Sequence, residues 1–191
     1  MIEAIAGISA AFGLASSAGL NAYIPLLMVA IATRLQLLKL AEPYNIIGNG
    51  WAIGILVVLL LIEMTVDKIP AADTLNDLIQ TFIRPAAGAV LFAANAQVIT
   101  ELNPVVALVA GLLLAGGVHA TKTVVRPAVT ATTAGTGNWV VSIVEDVLSF
   151  LVSLMALLVP LLAVLIVAAL MLFVIWYYQR RRQQKKRLVF K

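Results

Sequence analysis

The chain has 191 residues, 62% of them hydrophobic and 12% charged, with a mean hydropathy of +1.05, and a water-soluble domain of this length could not hide so much apolar surface. It has no cysteine and one histidine, which excludes disulfides, iron–sulfur clusters, thiolate zinc sites and a histidine-rich metal centre. Seven of the thirteen basic residues lie at Arg180, Arg181, Arg182, Lys185, Lys186, Arg187 and Lys191, so the net charge of +4 describes a tail and not a nucleic-acid-binding body.

These proportions predict an all-α fold, a polytopic transmembrane helical bundle. In lipid every backbone polar group must be paired within its own segment, and the apolar stretches Ile55–Ile62 and Leu154–Trp176 are continuous rather than alternating. Six or seven membrane segments are expected, with broken or re-entrant elements and one interfacial amphipathic helix. Residues 3–33 are apolar but interrupted at Ser16–Asn21. As one helix they would run about 45 Å, too long for a hydrocarbon core of ~30 Å. The pattern predicts a broken or re-entrant first segment, then a helix over about 22–38 with Pro25 near its start. The N-terminus lacks the basic region of a secretory signal, so this segment is expected to stay in the mature protein.

A polar turn at Ala41–Asn45 leads to a span over 47–66, with Trp51 as an interfacial anchor. Asp67–Asp73 reads as a charged turn. Thr74–Arg84 then reads as a short amphipathic helix, with Leu75, Leu78, Ile79, Phe82 and Ile83 on one face, lying in the interface. A short span rich in small residues runs from Pro85 to about Ile99, and a turn at Glu101–Pro104 ends it. Residues 105–118 form the next span, which runs into His119–Lys122 and Arg126–Pro127, while 130–138 is not expected to be regular helix. Helix resumes from Trp139 to about Val152. The last span, 155–178, closes on Tyr177 and Tyr178. Residues 1–179 are thus a transmembrane helical domain and 180–191 a basic cytoplasmic tail that meets anionic lipid headgroups.

The tail also sets orientation. Stepping back from it puts 119–138 and 67–84 inside, and 101–104 and 34–46 outside. Eleven basic residues then lie on the inner side, against Arg34 and Lys39 outside. The side of the N-terminus stays open.

Three irregular segments, Ser16–Asn21, Asp67–Arg84 and His119–Asn138, share the cytoplasmic side and hold most ionisable groups outside the tail. A charge near the bilayer costs several kcal/mol unless paired or hydrated, so these residues are the candidate site. Asn21 and Asn138 each precede an aromatic-led helix, within two weakly similar stretches (18–23 and 134–139). A second similarity links 65–71 with 123–128, the pattern of a transporter repeat with paired broken helices. Glu63 and Asp67, like Asp73 and Asp77, stand four apart. Such carboxylates suit Mg²⁺ with a phosphate substrate; equally, Asp73 reads as a helix cap and Asp67 as the partner of Lys68 or Arg84. Lys122 and Arg126 are one turn apart, a pair for a phosphate, a carboxylate or a lipid headgroup, or simply a positive-inside anchor. His119 reads as an interface histidine or a proton relay. Glu145 and Asp146 are either solvated or, in a helix entering the bilayer at Asn138, buried acids whose natural partners are Lys122 and Arg126.

Ala18–Tyr23, Asp67–Pro70, Arg84–Gly88 and the stretch from His119 to Asn138 together resemble an uncharacterised bacterial integral-membrane family, the domain of unknown function 4126. The resemblance covers most of the chain except the tail. It implies a bacterial inner-membrane protein and supplies no activity, so no functional residue is carried over from it. Three functions remain as expectations. The first is a small transporter or channel-like protein for a small anion, a zwitterion or a proton-coupled solute, its site lined by the cytoplasmic breaks. The second is a membrane enzyme acting on a phosphorylated lipid, for which no catalytic signature is present. The third is a non-catalytic scaffold. No cofactor is expected, the metal question is open, and enclosing a wide pore would take a homo-oligomer.

Overall fold

The first break in the apolar N-terminal stretch is narrower than its composition implies. The computed structural model describes residues 2–66, 70–96, 103–133, 137–160, 169, 171–173, 175–177 and 180. Helix α1 (Ile2–Leu20) continues through Ser16, Ser17 and Gly19, and only Asn21 and Ala22 separate it from α2 (Tyr23–Arg34). Ser17 stays compatible with helix by donating its hydroxyl to the Leu14 carbonyl at 2.9 Å. Asn21 makes the break, because its Oδ1 accepts from the backbone N–H groups of Tyr23 (2.9 Å) and Ile24 (3.1 Å). That contact satisfies donors which the first turn of a helix otherwise leaves free. The first segment is thus a helix of 19 residues, broken from the next at Asn21 and Ala22.

Helix α2 is shorter than expected. Gln36 takes a left-handed conformation (φ 57), and the N–H groups of Gln36 and Leu37 return to the carbonyls of Thr33 (3.0 Å) and Ala32 (2.9 Å). This pairing closes the helix by satisfying its last carbonyls. A 3-10 turn at Tyr44–Gly48 then leads into α3 (Gly50–Val66).

The expected interfacial helix is not a separate element. Residues 74–84 and the segment from Pro85 belong to one 27-residue helix, α4 (Pro70–Ala96), with Pro85 in its interior. The Pro85 ring packs beside Gly116 of the next helix, where a methyl group would sit 3.7 Å from its Cγ. Of the expected apolar face, Ile83 packs against the core. Leu78, Ile79 and Phe82 face outward, while Gln80 and Arg84 are buried. The polar face turns inward because Glu63 and His119 lie there to meet Arg84.

Helix α5 (Pro104–Thr133) corrects the expectation of irregular chain after residue 130 as far as the described residues reach. Thr130, Thr132 and Thr133 return their hydroxyls to the carbonyls of Arg126 (3.1 Å), Ala128 (2.9 Å) and Val129 (2.8 Å). Donors that would favour a turn in water are thereby used up along the helix itself. Helix α6 (Asn138–Leu158) outlasts its expected end and stops at Val159, which is held out of the helical region just before Pro160. The expected last span is therefore split at Val159. Most of the chain after Pro160, including the tail beyond Arg180, lies outside the described residues. Where it is described, Arg180 places its guanidinium 5.0 Å from the Trp176 ring.

Among the described residues the chain is all-helical. Helices α1, α4 and α5 form the centre, α6 packs on α1 and α2, and α3 lies outside against α2. Small residues let α4 and α5 approach closely. A methyl group at Gly111 would lie 2.6 Å from Phe92 Cβ and 2.8 Å from Ala89 Cα. Leu14, Ala18, Leu91 and Ala115 fill the core, and Phe12 meets Phe92 edge-on at 5.3 Å. Helices α5 and α6 are long and apolar enough to cross a membrane, while α1, α2 and α3 contain shorter apolar helices.

Candidate functional site

Helix α3 is apolar around most of its circumference and exposes Trp51, Ile55, Val58, Leu61 and Ile62. Its one buried residue is an acid, Glu63, at 2% exposure. That carboxylate meets Arg84 of α4, which is 1% exposed, with Nη2 donating to Oε1 at 2.9 Å. The other terminal nitrogen of Arg84 lies 3.3 Å from Nδ1 of His119, and His119 Nε2 lies 3.2 Å from the Thr81 hydroxyl. A guanidinium can only donate, so Nδ1 is the accepting nitrogen and Nε2 carries the proton toward Thr81. An acid, a base and an imidazole from α3, α4 and α5 thus form one buried chain, which ends on the exposed hydroxyl of Thr81. Tyr23, at the start of α2, faces Gln80, Glu63 and Arg84.

A second group lies between α5 and α6. Lys122 Nζ is 2.7 Å and Arg126 Nη2 3.6 Å from the same oxygen of Glu145. The helical period explains the sharing, since Lys122 and Arg126 leave α5 on one face. Asp146 accepts from Asn21 Nδ2 at 2.9 Å, so one asparagine both caps α2 and holds α6. Further along α6, Ser149 donates to the Ser17 carbonyl (3.0 Å), and the hydroxyls of Ser17 and Ser153 meet at 2.8 Å. The cations Arg84, Lys122 and Arg126 thus face the carboxylates of Glu63 and Glu145, while the half-buried Asp146 is held by Asn21. Isolated charges of this kind would each cost several kcal/mol to bury, which is why they occur paired. They occupy the C-terminal end of α3, the middle of α4, the second half of α5 and the first half of α6.

The structure gathers Asn21, Glu63, Arg84, His119, Lys122, Arg126, Glu145 and Asp146 of the expected site residues. Asn138 stands apart at the start of α6, where its Oδ1 accepts from the Thr130 hydroxyl at 3.1 Å. Asp67 and Lys68 lie outside the described residues, and the carboxylate facing Arg84 is Glu63. Asp73 and Asp77 fall in the first turns of α4, their side chains likewise outside the description. Among the described residues no three His, Cys, Asp or Glu side chains come together as metal ligands.

The profile of the domain of unknown function DUF4126 matches residues 8–180. The chain belongs to that family. The matched range holds every residue of the buried cluster and stops where the basic tail begins. No curated protein and no solved structure matches the chain.

Tyr23, Gln80, Ser17, Ser149 and Ser153 join the family domain's polar interior, and Thr81 its edge, without having been singled out one by one from the sequence. A signal for some of them was present. Gln80 precedes Arg84 by one turn, and Glu145, Ser149 and Ser153 recur every four residues, a polar stripe on an otherwise apolar helix.

Proposed function

We propose that the chain is a multi-pass integral protein of the bacterial inner membrane, its tail cytoplasmic. In this reading it acts as a small transporter or channel-like protein that binds a small solute or ion at the buried cluster. One observation carries the reading: ionisable side chains from four helices point inward while the outer surface is apolar. A water-soluble fold distributes them the other way round. Only 22% and 33% of the apolar stretches in α5 and α6 are buried inside the molecule, which argues against these being core helices of a soluble protein. Lipid is the solvent in which such a surface is stable.

The cluster is also more than stability requires. Buried ion pairs are typically no better for folding than apolar residues of the same shape, so a bundle selected for stability alone has no need of three. Intramembrane ionisable residues of this kind mark substrate and ion pathways. An enzyme acting on lipid phosphate would need Lys122 and Arg126 to face a phosphate, whereas both face Glu145.

The test uses protein purified in detergent and reconstituted in vesicles. Melting temperatures are measured against ions, small acids, small neutral solutes and lipid phosphates, for wild type and for Lys122→Ala/Arg126→Ala, alongside solute flux into the vesicles. Stabilisation by a soluble solute, with flux of that solute lost in the double variant, is expected. Mg²⁺-dependent stabilisation by a lipid phosphate would replace this reading with the enzyme. A folded wild type that answers to no ligand would replace it with the scaffold.

A further inference from the structure

Two polar atoms in the cluster have no hydrogen-bond partner within the described molecule, Oε1 of Gln80 and Nε of Arg84. Both residues are 1% exposed, and they stand one turn apart, so they leave α4 on the same face. Buried polar groups are nearly always satisfied, and an unmet one is costly. The terminal nitrogens of Arg84 are already engaged by Glu63 and His119. Its Nε–H remains as a donor on the helix face that also carries the Gln80 acceptor, and Gln80 is hydrogen-bonded to Tyr23.

We propose that this donor–acceptor pair is a binding subsite for a neutral solute whose amide or hydroxyl group accepts from Arg84 Nε and donates to Gln80 Oε1. The inference rests on the solute-site reading above and names its ligand class. The existing ion pair argues for neutrality. Arg84 already faces Glu63 at 2.9 Å, so an ion entering beside it would arrive without a counter-charge of its own. A neutral ligand that offers one donor and one acceptor leaves that pair intact and satisfies both atoms.

Acetamide and acetate test this directly, since they share a shape and differ in charge. Melting temperatures of the purified protein are measured against each at neutral pH, for wild type, Gln80→Met and Tyr23→Phe. Wild type is expected to show a saturable rise with acetamide and none with acetate. In Gln80→Met the half-saturating concentration rises about tenfold, in line with one lost hydrogen bond and a donor left unmet. This variant also loses the hydrogen bond between Gln80 and Tyr23, so a cooperative melting transition without ligand is the check that a missing response is not a failure to fold. Tyr23→Phe keeps both proposed contacts but frees the Gln80 amide from its hydrogen bond to Tyr23, so its half-saturating concentration is expected to rise less than that of Gln80→Met. An acetate response equal to or larger than that of acetamide overturns the neutral class and leaves the transporter reading standing. If ions or acids elsewhere in the panel stabilise through Lys122 and Arg126 while acetamide does nothing, the subsite falls alone. No response to acetamide or to any other solute overturns both readings, and the two atoms are then met by water only.

Discussion

Replacing Glu63 with alanine leaves the guanidinium of Arg84 buried with its carboxylate gone. Loss of one partner from a buried pair costs about 3–5 kcal/mol, because the remaining charge is uncompensated. Glu63→Ala is therefore expected to lower the midpoint of unfolding in detergent sharply. Glu63→Leu combined with Arg84→Met removes both charges and is expected to cost less than Glu63→Ala alone, which a double-mutant cycle measures directly. Glu145→Ala should be at least as damaging, since Lys122 and Arg126 share that one carboxylate. Glu63 and the pairing of Glu145 were legible in the sequence because a charge within an apolar run has few ways to be satisfied. Gln80 and Tyr23 were not, because a neutral polar side chain gives no comparable signal until its neighbours are known. Asn138 looked equivalent to Asn21 by its sequence neighbours, yet among the described residues Asn21 donates to an acid, Asp146, and Asn138 accepts from Thr130.

Helix boundaries divide along a similar line. Asn21 and Pro160 end or start helices as their chemistry dictates, whereas Pro85 and the threonines of 130–133 sit inside helices that the sequence pattern alone would break. The difference is solvent. In water a serine, a threonine or the carbonyl freed by a proline finds a competing partner, while in an apolar setting a hydroxyl does best by returning to its own helix. At the end of α2, Gln36 occupies a conformation that costs a side chain about 1–2 kcal/mol and that glycine adopts freely. Gln36→Gly is thus expected to raise the melting temperature by a few degrees, read by thermal unfolding. Between α4 and α5 the opposite holds. Gly111→Leu must push apart backbones already in contact and is expected to lose about 1–3 kcal/mol or more, read as a lowered melting temperature in the same assay.

The all-helical class was written in the composition; the number of helices long and apolar enough to cross a membrane was not, since α1, α2 and α3 are short and the last apolar stretch is split at Val159. Orientation can be measured cleanly because the chain has no cysteine of its own. A cysteine at Leu37, exposed between α2 and α3, is expected to react with a membrane-impermeant maleimide added to intact cells. One at Thr132, exposed near the end of α5, should react only after the membrane is opened. Reversed labelling would overturn the cytoplasmic tail. The contacts that close the molecule also impose an order on its making. Asn21 and Asp146 are 125 residues apart, and Ser17 and Ser153 are 136 apart, so the first helix is tied to α6. At about 5–20 residues per second a ribosome needs about 6–25 s to cover the shorter interval. For that time the newborn α1 carries a polar seam with no mate, and a chain cut short before α6 never acquires one. A truncated product is therefore expected to be cleared by proteolysis while the full-length chain accumulates, as a pulse-chase comparison of the two would record.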